Sequence, residues 1–311
     1  MTTNLSCSML YQGLVLNMDS IQPCAPSHVR PTIPYDGGDF PLESFLQMRR
    51  KTQEEISQGI SPCLDCTNLQ EFNTLPNHKE KIRYIALHHG MLCNSRCIYC
   101  NFWHPENNQE KNRQRYSAIA PLSQLLALGF IHPEPAVDWG TGEPTILPEF
   151  EELLQFLDKN GFTNLVNSNC LRFSAALAHG LRDKATLQCS LDCSTPATFR
   201  KIKGSDNFFT VIENLRNYAR INANNIILKY IVCRYNNTIQ EIDGFLDLAE
   251  QLGIKRINIS PEHGEITNNT ITDVTLGATA YLFKQSKLRG FDSRVFDTCY
   301  PNPAHLQRIY A

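Results

Sequence analysis

The sequence predicts an α/β fold in which a parallel sheet closes or partly closes into a barrel, preceded by a small cysteine-rich extension. Three observations carry this expectation. From about Lys81 onward short β-branched runs alternate with amphipathic segments, each change of period falls at a turn residue, and the alternation occurs six times. Six such units imply right-handed crossovers, and a full eight-unit barrel needs more chain. The predicted organisation is an extension over residues 1–80, a barrel over 81–290 and a tail over 291–311.

Within the extension, Gly13 to Cys24 reads as a hairpin, with Leu14, Val15 and Leu16 in one arm and Met18 to Ser20 at the turn. A loop rich in Pro and Gly follows. A helix from about Leu42 to Gln58 then leads to Ser61-Pro-Cys-Leu-Asp-Cys66. The predicted barrel strands are Ile82 to His88, Ala136 to Trp139, Thr163 to Ser168, Thr186 to Asp192, Ile226 to Cys233 and Lys255 to Ser260. They are short and mostly apolar, as suits strands buried on both faces. Between them, Phe150, Leu153, Leu154 and Leu157 share one helix face, as do Phe208, Val211, Ile212 and Leu215. Thr238 and Glu241 make a capping box before a stripe of Ile242, Phe245, Leu246 and Ala249, and Gly253 ends that helix. Leu276, Ala280 and Phe283 mark a last helix, and the tail from Phe291 is expected to cover the barrel or a substrate groove. Chemistry is expected in the loops after the strands' C-terminal ends.

Composition narrows the function classes. The formal charge of −2 and the 42% hydrophobic content are those of a globular chain, which excludes disorder and fibrous structure. They offer no broad electrostatic surface for nucleic acid or an anionic membrane. No apolar run approaches a spanning helix and Met1 to Asp19 lacks an export signature, so the chain reads as cytoplasmic. Cysteine stands out, with 12 residues. In a reducing compartment, clustered thiols bind metal or do redox chemistry more often than they form disulfides.

Directly after the first predicted barrel strand comes Cys93-Asn-Ser-Arg-Cys97-Ile-Tyr-Cys100. Three thiolates hold three irons of a four-iron cluster and leave the fourth iron open to a ligand. The alternative is a structural zinc site that His104 completes.

This arrangement resembles the radical S-adenosylmethionine (radical SAM) enzymes, whose hallmark is a CxxxCxxC loop after the first strand of a partial (β/α)6 TIM-like barrel. The resemblance runs from about Ile82 to Ser260. Trp139-Gly-Thr-Gly-Glu-Pro144 is similar to the family's Gly-Gly-Glu-Pro segment, with Thr141 where the first Gly is usual. Ser190-Leu-Asp192, then Thr198-Phe-Arg-Lys-Ile-Lys-Gly204, is similar to the family's Ser-Leu-Asp strand end and Lys-Ile-Arg-Gly turn, with Lys203 where Arg is common. What the resemblance implies is a 4Fe–4S cluster on Cys93, Cys97 and Cys100, the three catalytic cysteines. It also implies S-adenosylmethionine held by Tyr99, Gly140, Thr141, Gly142, Glu143, Asn169, Ser190, Asp192, Arg200 and Lys203. The implied chemistry is one-electron cleavage of the sulfonium to methionine and a 5′-deoxyadenosyl radical, which takes hydrogen from substrate.

Cys7, Cys24 and the Cys63-x-x-Cys66 pair are four further thiols, enough for an auxiliary iron–sulfur cluster or a zinc site. They resemble the SPASM and twitch extensions of many such enzymes, except that here the segment precedes the barrel. Cys170, Cys189, Cys193, Cys233 and Cys299 read as small buried residues, with Cys193 and Cys299 as candidate hydrogen-atom donors. His88 and His89, which close the first strand, read as ordinary loop histidines or as substrate contacts. The resemblance points to a ribosomally made peptide as substrate and a flavodoxin- or ferredoxin-type reductant. A sugar or other small metabolite is the second possibility, and a non-catalytic metal or electron-transfer protein the third.

Overall fold

The computed structural model describes residues 4–24, 32–66, 68–100, 113–268, 270–296, 299–300 and 302–310. The chain forms two compact units, one of Met1–Leu92 with Glu110–Leu165 and the other of Cys93–Gln109 with Val166–Ala311.

The first unit contains β1 (Leu5–Ser6), α1 (Ser8–Gln12), β2 (Gly13–Asn17), β3 (Ser20–Gln22), β4 (Ile33–Pro34), α2 (Leu42–Ser57), β5 (Gln70–Glu71), β6 (Ile82–His88), α3 (Ile119–Ala127), β7 (Ile131–Trp139) and α4 (Phe150–Lys159). The expected hairpin is present as antiparallel β2 and β3, joined by Met18 and Asp19. Its β2 also pairs parallel with β6, and β6 pairs parallel with β7. The hairpin therefore extends the sheet that carries the first barrel strand. β1 pairs with β5, which returns residues near 70 to the start of the chain. In α4, the predicted stripe of Phe150, Leu153, Leu154 and Leu157 is buried, each side chain contributing about 1.5–3 kcal/mol of burial. The charged face of the same helix, Glu151 to Lys159, completes the amphipathic pattern.

The chain passes through β8 (Thr163–Ser168) into the second unit, which contains α5 (Ala175–Gly180), β9 (Ala185–Ser190), α6 (Pro196–Lys203), α7 (Phe208–Asn222), β10 (Ile226–Val232), α8 (Ile239–Gln251), β11 (Arg256–Pro261), α9 (His263–Thr267), α10 (Asp273–Leu288), β12 (Asp292–Val295) and α11 (Pro303–Tyr310). Strands β9, β10, β11 and β12 pair in parallel in that order. Helices connect successive strands, so local patterning and topology agree.

Three sequence expectations are corrected here. The tail is not simply a cover: residues 292–295 add a parallel strand to β11, with Ser293 and Val295 buried and Asp292 and Arg294 exposed. The strands are not buried on both faces, since in β10 Lys229 and Ile231 are half-exposed while their neighbours are buried. The capping box is one-sided. Thr238 Oγ1 accepts from Glu241 N at 3.4 Å, but the Glu241 carboxylate is taken by Ser194 N (2.9 Å), Ser194 Oγ (2.8 Å), Thr195 Oγ1 (3.0 Å) and Thr198 Oγ1.

Candidate active site

The second unit holds the cysteine loop. Cys93, Cys97 and Cys100 are half-buried. Local bonds shape the loop: Ser95 N donates to Cys93 Sγ at 3.4 Å and Cys100 N to Cys97 O at 3.0 Å. After β8, Asn169 reaches over it, its Nδ2 donating to Asn94 Oδ1 (2.7 Å) and Ser95 Oγ (3.1 Å) and standing 3.9 Å from Cys93 Sγ. N–H groups aimed at a sulfur stabilise its thiolate form and tune any cluster it binds. Among the described residues no three His, Cys, Asp or Glu side chains are gathered so as to hold one metal ion. Thiolates of a four-iron cluster each bind a different iron, whereas zinc needs its ligands around a single centre. His104, the fourth ligand of the zinc alternative, lies outside the described residues.

The end of α6 braces this loop. Arg96 N donates to Lys203 O at 3.1 Å and Ile98 N to Ile202 O at 3.0 Å, so the last carbonyls of the helix are satisfied by the loop. Gly204 ends the helix at φ +68, and a Cβ there would stand 3.1 Å from the Arg96 Cβ. The left-handed cap favours glycine, and the approach leaves little room for a side chain.

Side chains add a second tie. Lys203 Nζ donates to Tyr99 OH at 2.7 Å and to Asp192 Oδ2, and Tyr99 OH donates to the same Asp192 oxygen. Asp192 is 0% exposed and Lys203 2%. Asp192 adopts φ +61 and is itself fixed: its Oδ1 accepts from Ile231 N at 2.6 Å and its carbonyl from Asn236 Nδ2 at 2.7 Å. Burial opposes the Lys203 ammonium, but the Asp192 carboxylate overrides it and raises the lysine pKa. Burial and the same carboxylate push the Tyr99 phenol well above its usual range. At neutral pH Lys203 is therefore an ammonium and Tyr99 a neutral phenol, both bonded to the same Asp192 oxygen.

Of the other residues expected at S-adenosylmethionine, Ser190 ends β9 half-buried, in register with Lys229. Arg200 is at the surface, paired with Asp206.

The first unit holds the glycine–glutamate segment. Gly142 has φ +62, and a Cβ there would lie 2.5 Å from Leu92 O and 2.6 Å from the Met91 carbonyl carbon. Glu143 N donates to Leu92 O at 2.7 Å, so the segment after β7 grips the chain just before the cysteines. The Glu143 side chain, 1% exposed, caps its own turn by accepting from Thr145 N (3.3 Å) and Thr145 Oγ1 (2.5 Å). Among the described residues, the buried Thr141 Oγ1 has no hydrogen-bond partner, a polar atom that a bound ligand could satisfy. Gly140 follows Trp139 beside His88: a Cβ on it would stand 3.5 Å from His88 Nε2 and 3.6 Å from the Asp138 carboxylate oxygens. Burial pushes His88 down to about 4, so it is neutral at physiological pH. Its neighbour His89 is fully buried, with Nε2 2.6 Å from Glu149 Oε1.

The N-terminal thiols also lie in the first unit. Cys7, Cys63 and Cys66 line one cavity of about 10 Å³ together with Pro23, room for about one water molecule. Cys24, next to Pro23, is 1% exposed. Cys7 and Cys63 pack in an apolar cluster with Leu10, Tyr11 and Ile56. Cys193 is not at an open mouth: it is 0% exposed, its thiol donates to Leu191 O at 3.3 Å, and burial raises its pKa. Sequence reasoning missed Asn236, whose side chain bonds Asp192 O, Ile231 O and Cys233 N. The only local signal was an Asn-rich turn after β10.

The family model for the radical SAM superfamily matches residues 87–249, more than half of the chain. Among curated proteins, a probable GTP 3′,8-cyclase of Saccharolobus islandicus is 24% identical over 187 residues, covering 59% of this chain and 57% of that protein. The mycofactocin maturase MftC of Mycobacterium ulcerans is 25% identical over 165 residues, covering 52% and 42%. Among solved structures, Streptococcus suis SuiB bound to the precursor peptide SuiA aligns with a TM-score of 0.56 at 15% identity, covering 92% of this chain and 63% of that one. This likeness shows the fold, an α/β structure with a mostly parallel sheet of the partial TIM-barrel kind. The matched stretches span little more than half, or less, of the curated relatives' own lengths.

Proposed function

This chain belongs to the radical SAM superfamily, and on that premise we propose that it reductively cleaves S-adenosylmethionine and abstracts hydrogen from a ribosomally made peptide. The observation that carries the reading is the cysteine loop. Its three half-exposed thiols are braced from α6, with an Asn169 amide over Cys93. The donor set fits a four-iron cluster with one open iron. When bound there, cluster and S-adenosylmethionine supply the one-electron cleavage and the radical. The protein's part is placement. Gly142 allows close backbone approach, Thr141 offers a hydroxyl, and neutral His88 with Asp138 lines the end of the β6–β7 pair. The remaining S-adenosylmethionine contacts are proposed at Tyr99, Gly140, Glu143, Asn169, Ser190, Asp192, Arg200 and Lys203.

The peptide assignment draws support from SuiB, solved with a precursor peptide, and from the name of MftC as a maturase. A small-metabolite substrate is the second reading, favoured by the relatives called probable GTP 3′,8-cyclases. The electron donor is proposed to be a flavodoxin or ferredoxin. We propose an auxiliary iron–sulfur cluster on Cys7, Cys24, Cys63 and Cys66, supported by the convergence of Cys7, Cys63 and Cys66 on one cavity. Among the described residues no helix is long and apolar enough to cross a membrane.

The test is anaerobic reconstitution followed by dithionite reduction with S-adenosylmethionine. 5′-Deoxyadenosine formation that rises when candidate precursor peptides are added supports the peptide reading. Stimulation by GTP instead would favour the small-metabolite reading, and formation of no deoxyadenosine contradicts both.

A further inference from the structure

Resting on the cluster assignment above, we propose that Tyr99 is a positioning residue for the cysteine loop. Through its hydroxyl it fastens residues 97–100 to Asp192 and Lys203, so the thiols are set in place before any cluster is assembled.

The placement of Tyr99 makes this specific. It stands one residue from Cys100 and two from Cys97, and its ring packs on the Lys203 ammonium at 5.3 Å. For packing alone a phenylalanine would serve. The phenol instead donates to Asp192 and accepts from Lys203. Asp192 is a rigid anchor, because its carboxylate also accepts from Ile231 N and its carbonyl is held by Asn236, which in turn holds Ile231 O and Cys233 N. A left-handed backbone at a non-glycine residue is sparsely populated and persists where its surroundings over-determine it. Charge-assisted hydrogen bonds at a site this little exposed are among the strongest a protein makes. The Lys203 ammonium and Asp192 Oδ2 are thus directed at each other and at the Tyr99 hydroxyl. Backbone bonds from Arg96 and Ile98 to the end of α6 hold the same loop from the main chain, so the phenol fixes a segment whose preceding turn is already tied.

The experiment compares the full chain with Tyr99→Phe, Lys203→Met, Lys203→Arg and the Tyr99→Phe/Lys203→Met double variant. In the apo chain, hydrogen exchange at amides 96–100 is read by mass spectrometry. After anaerobic reconstitution, two further readouts are the rate of iron loss to a ferrous chelator and the S-adenosylmethionine-induced change in the EPR signal, which reports on a cluster with an open iron. Tyr99→Phe is expected to melt close to wild type yet exchange those amides and release that iron about tenfold faster, the worth of one hydrogen bond to a charged group. Its EPR signal should broaden. Lys203→Met should act in the same direction, the double variant should be worse than Lys203→Met alone because the Tyr99 bond to Asp192 is then lost as well, and Lys203→Arg should recover part of the loss. Wild-type exchange, iron retention and line shape in Tyr99→Phe would overturn the proposal while leaving the function intact. A wild-type chain with no S-adenosylmethionine-responsive signal overturns the functional reading, and this one with it.

Discussion

Two groups of cysteines in this chain sit in opposite surroundings. Around Cys93, Cys97 and Cys100 the setting is polar: half-exposed thiols, amides aimed at sulfur, and a carboxylate, an ammonium and a phenol bonded behind the loop. Around Cys7 and Cys63 it is apolar, with Leu10, Tyr11 and Ile56 as neighbours and a cavity of about 10 Å³. Polar fixation of half-exposed thiols prepares a site for a charged, exchangeable ligand. Thiols inside an apolar cluster contribute packing, and any group bound there is shielded from solvent. The same residue type is therefore half-exposed among polar groups in one unit and packed among apolar side chains in the other.

The comparison is broken most severely at Lys203. Lys203→Met leaves the Asp192 carboxylate buried with its charge unpaired, a loss of about 3–5 kcal/mol, to be read from urea midpoints at neutral pH. A loss below about 1 kcal/mol would mean that the buried pair does not hold the loop. The next largest effect is at Gly142. Gly142→Ala strains a left-handed backbone and drives a Cβ onto Leu92 O, which should cost about 1–3 kcal/mol and weaken S-adenosylmethionine binding.

On the apolar side, Cys63→Ser should cost about 1–3 kcal/mol by burying a hydroxyl among aliphatic side chains. Cys66→Ser, at a half-exposed position, should cost less. If both equally abolish iron that survives loss of Cys93, Cys97 and Cys100, the pocket is a ligand set rather than packing.

A further effect is one of pH. His88 is depressed in the folded state to about 4 from 6.5, so the unfolded chain binds the extra proton between those values. Stability from this residue is intact above pH 6.5 and declines as pH falls toward 4. His88→Gln should flatten that acid limb in denaturation midpoints taken from pH 7 to 4.5. An unchanged slope would assign the acid sensitivity elsewhere.

Much of the barrel was legible because its determinants are local. Leu153, Leu154 and Leu157 announce a helix face, and Ile82 to His88 appears as a strand with the bounds expected. The cysteine loop stood out by its spacing, which left iron–sulfur and zinc both open; the cluster reading came from the family resemblance. What the sequence withheld depends on long-range partners. Glu241 looked like half of a capping box until Ser194, Thr195 and Thr198 claimed its carboxylate. Residues 292–295 read as tail because only alternate positions are buried and the strand lies beside β11. The convergence of Cys7 with Cys63 and Cys66 depends on β1 pairing with β5, two short strands with no pattern of their own.

The most direct test is EPR of the dithionite-reduced, reconstituted chain with and without S-adenosylmethionine, beside a Cys93→Ala/Cys97→Ala/Cys100→Ala variant, with 5′-deoxyadenosine measured in the same samples. The account predicts a cluster signal that S-adenosylmethionine perturbs and deoxyadenosine in the wild type only. A wild-type chain that binds zinc in place of iron, or makes no more deoxyadenosine than the triple variant, would contradict it.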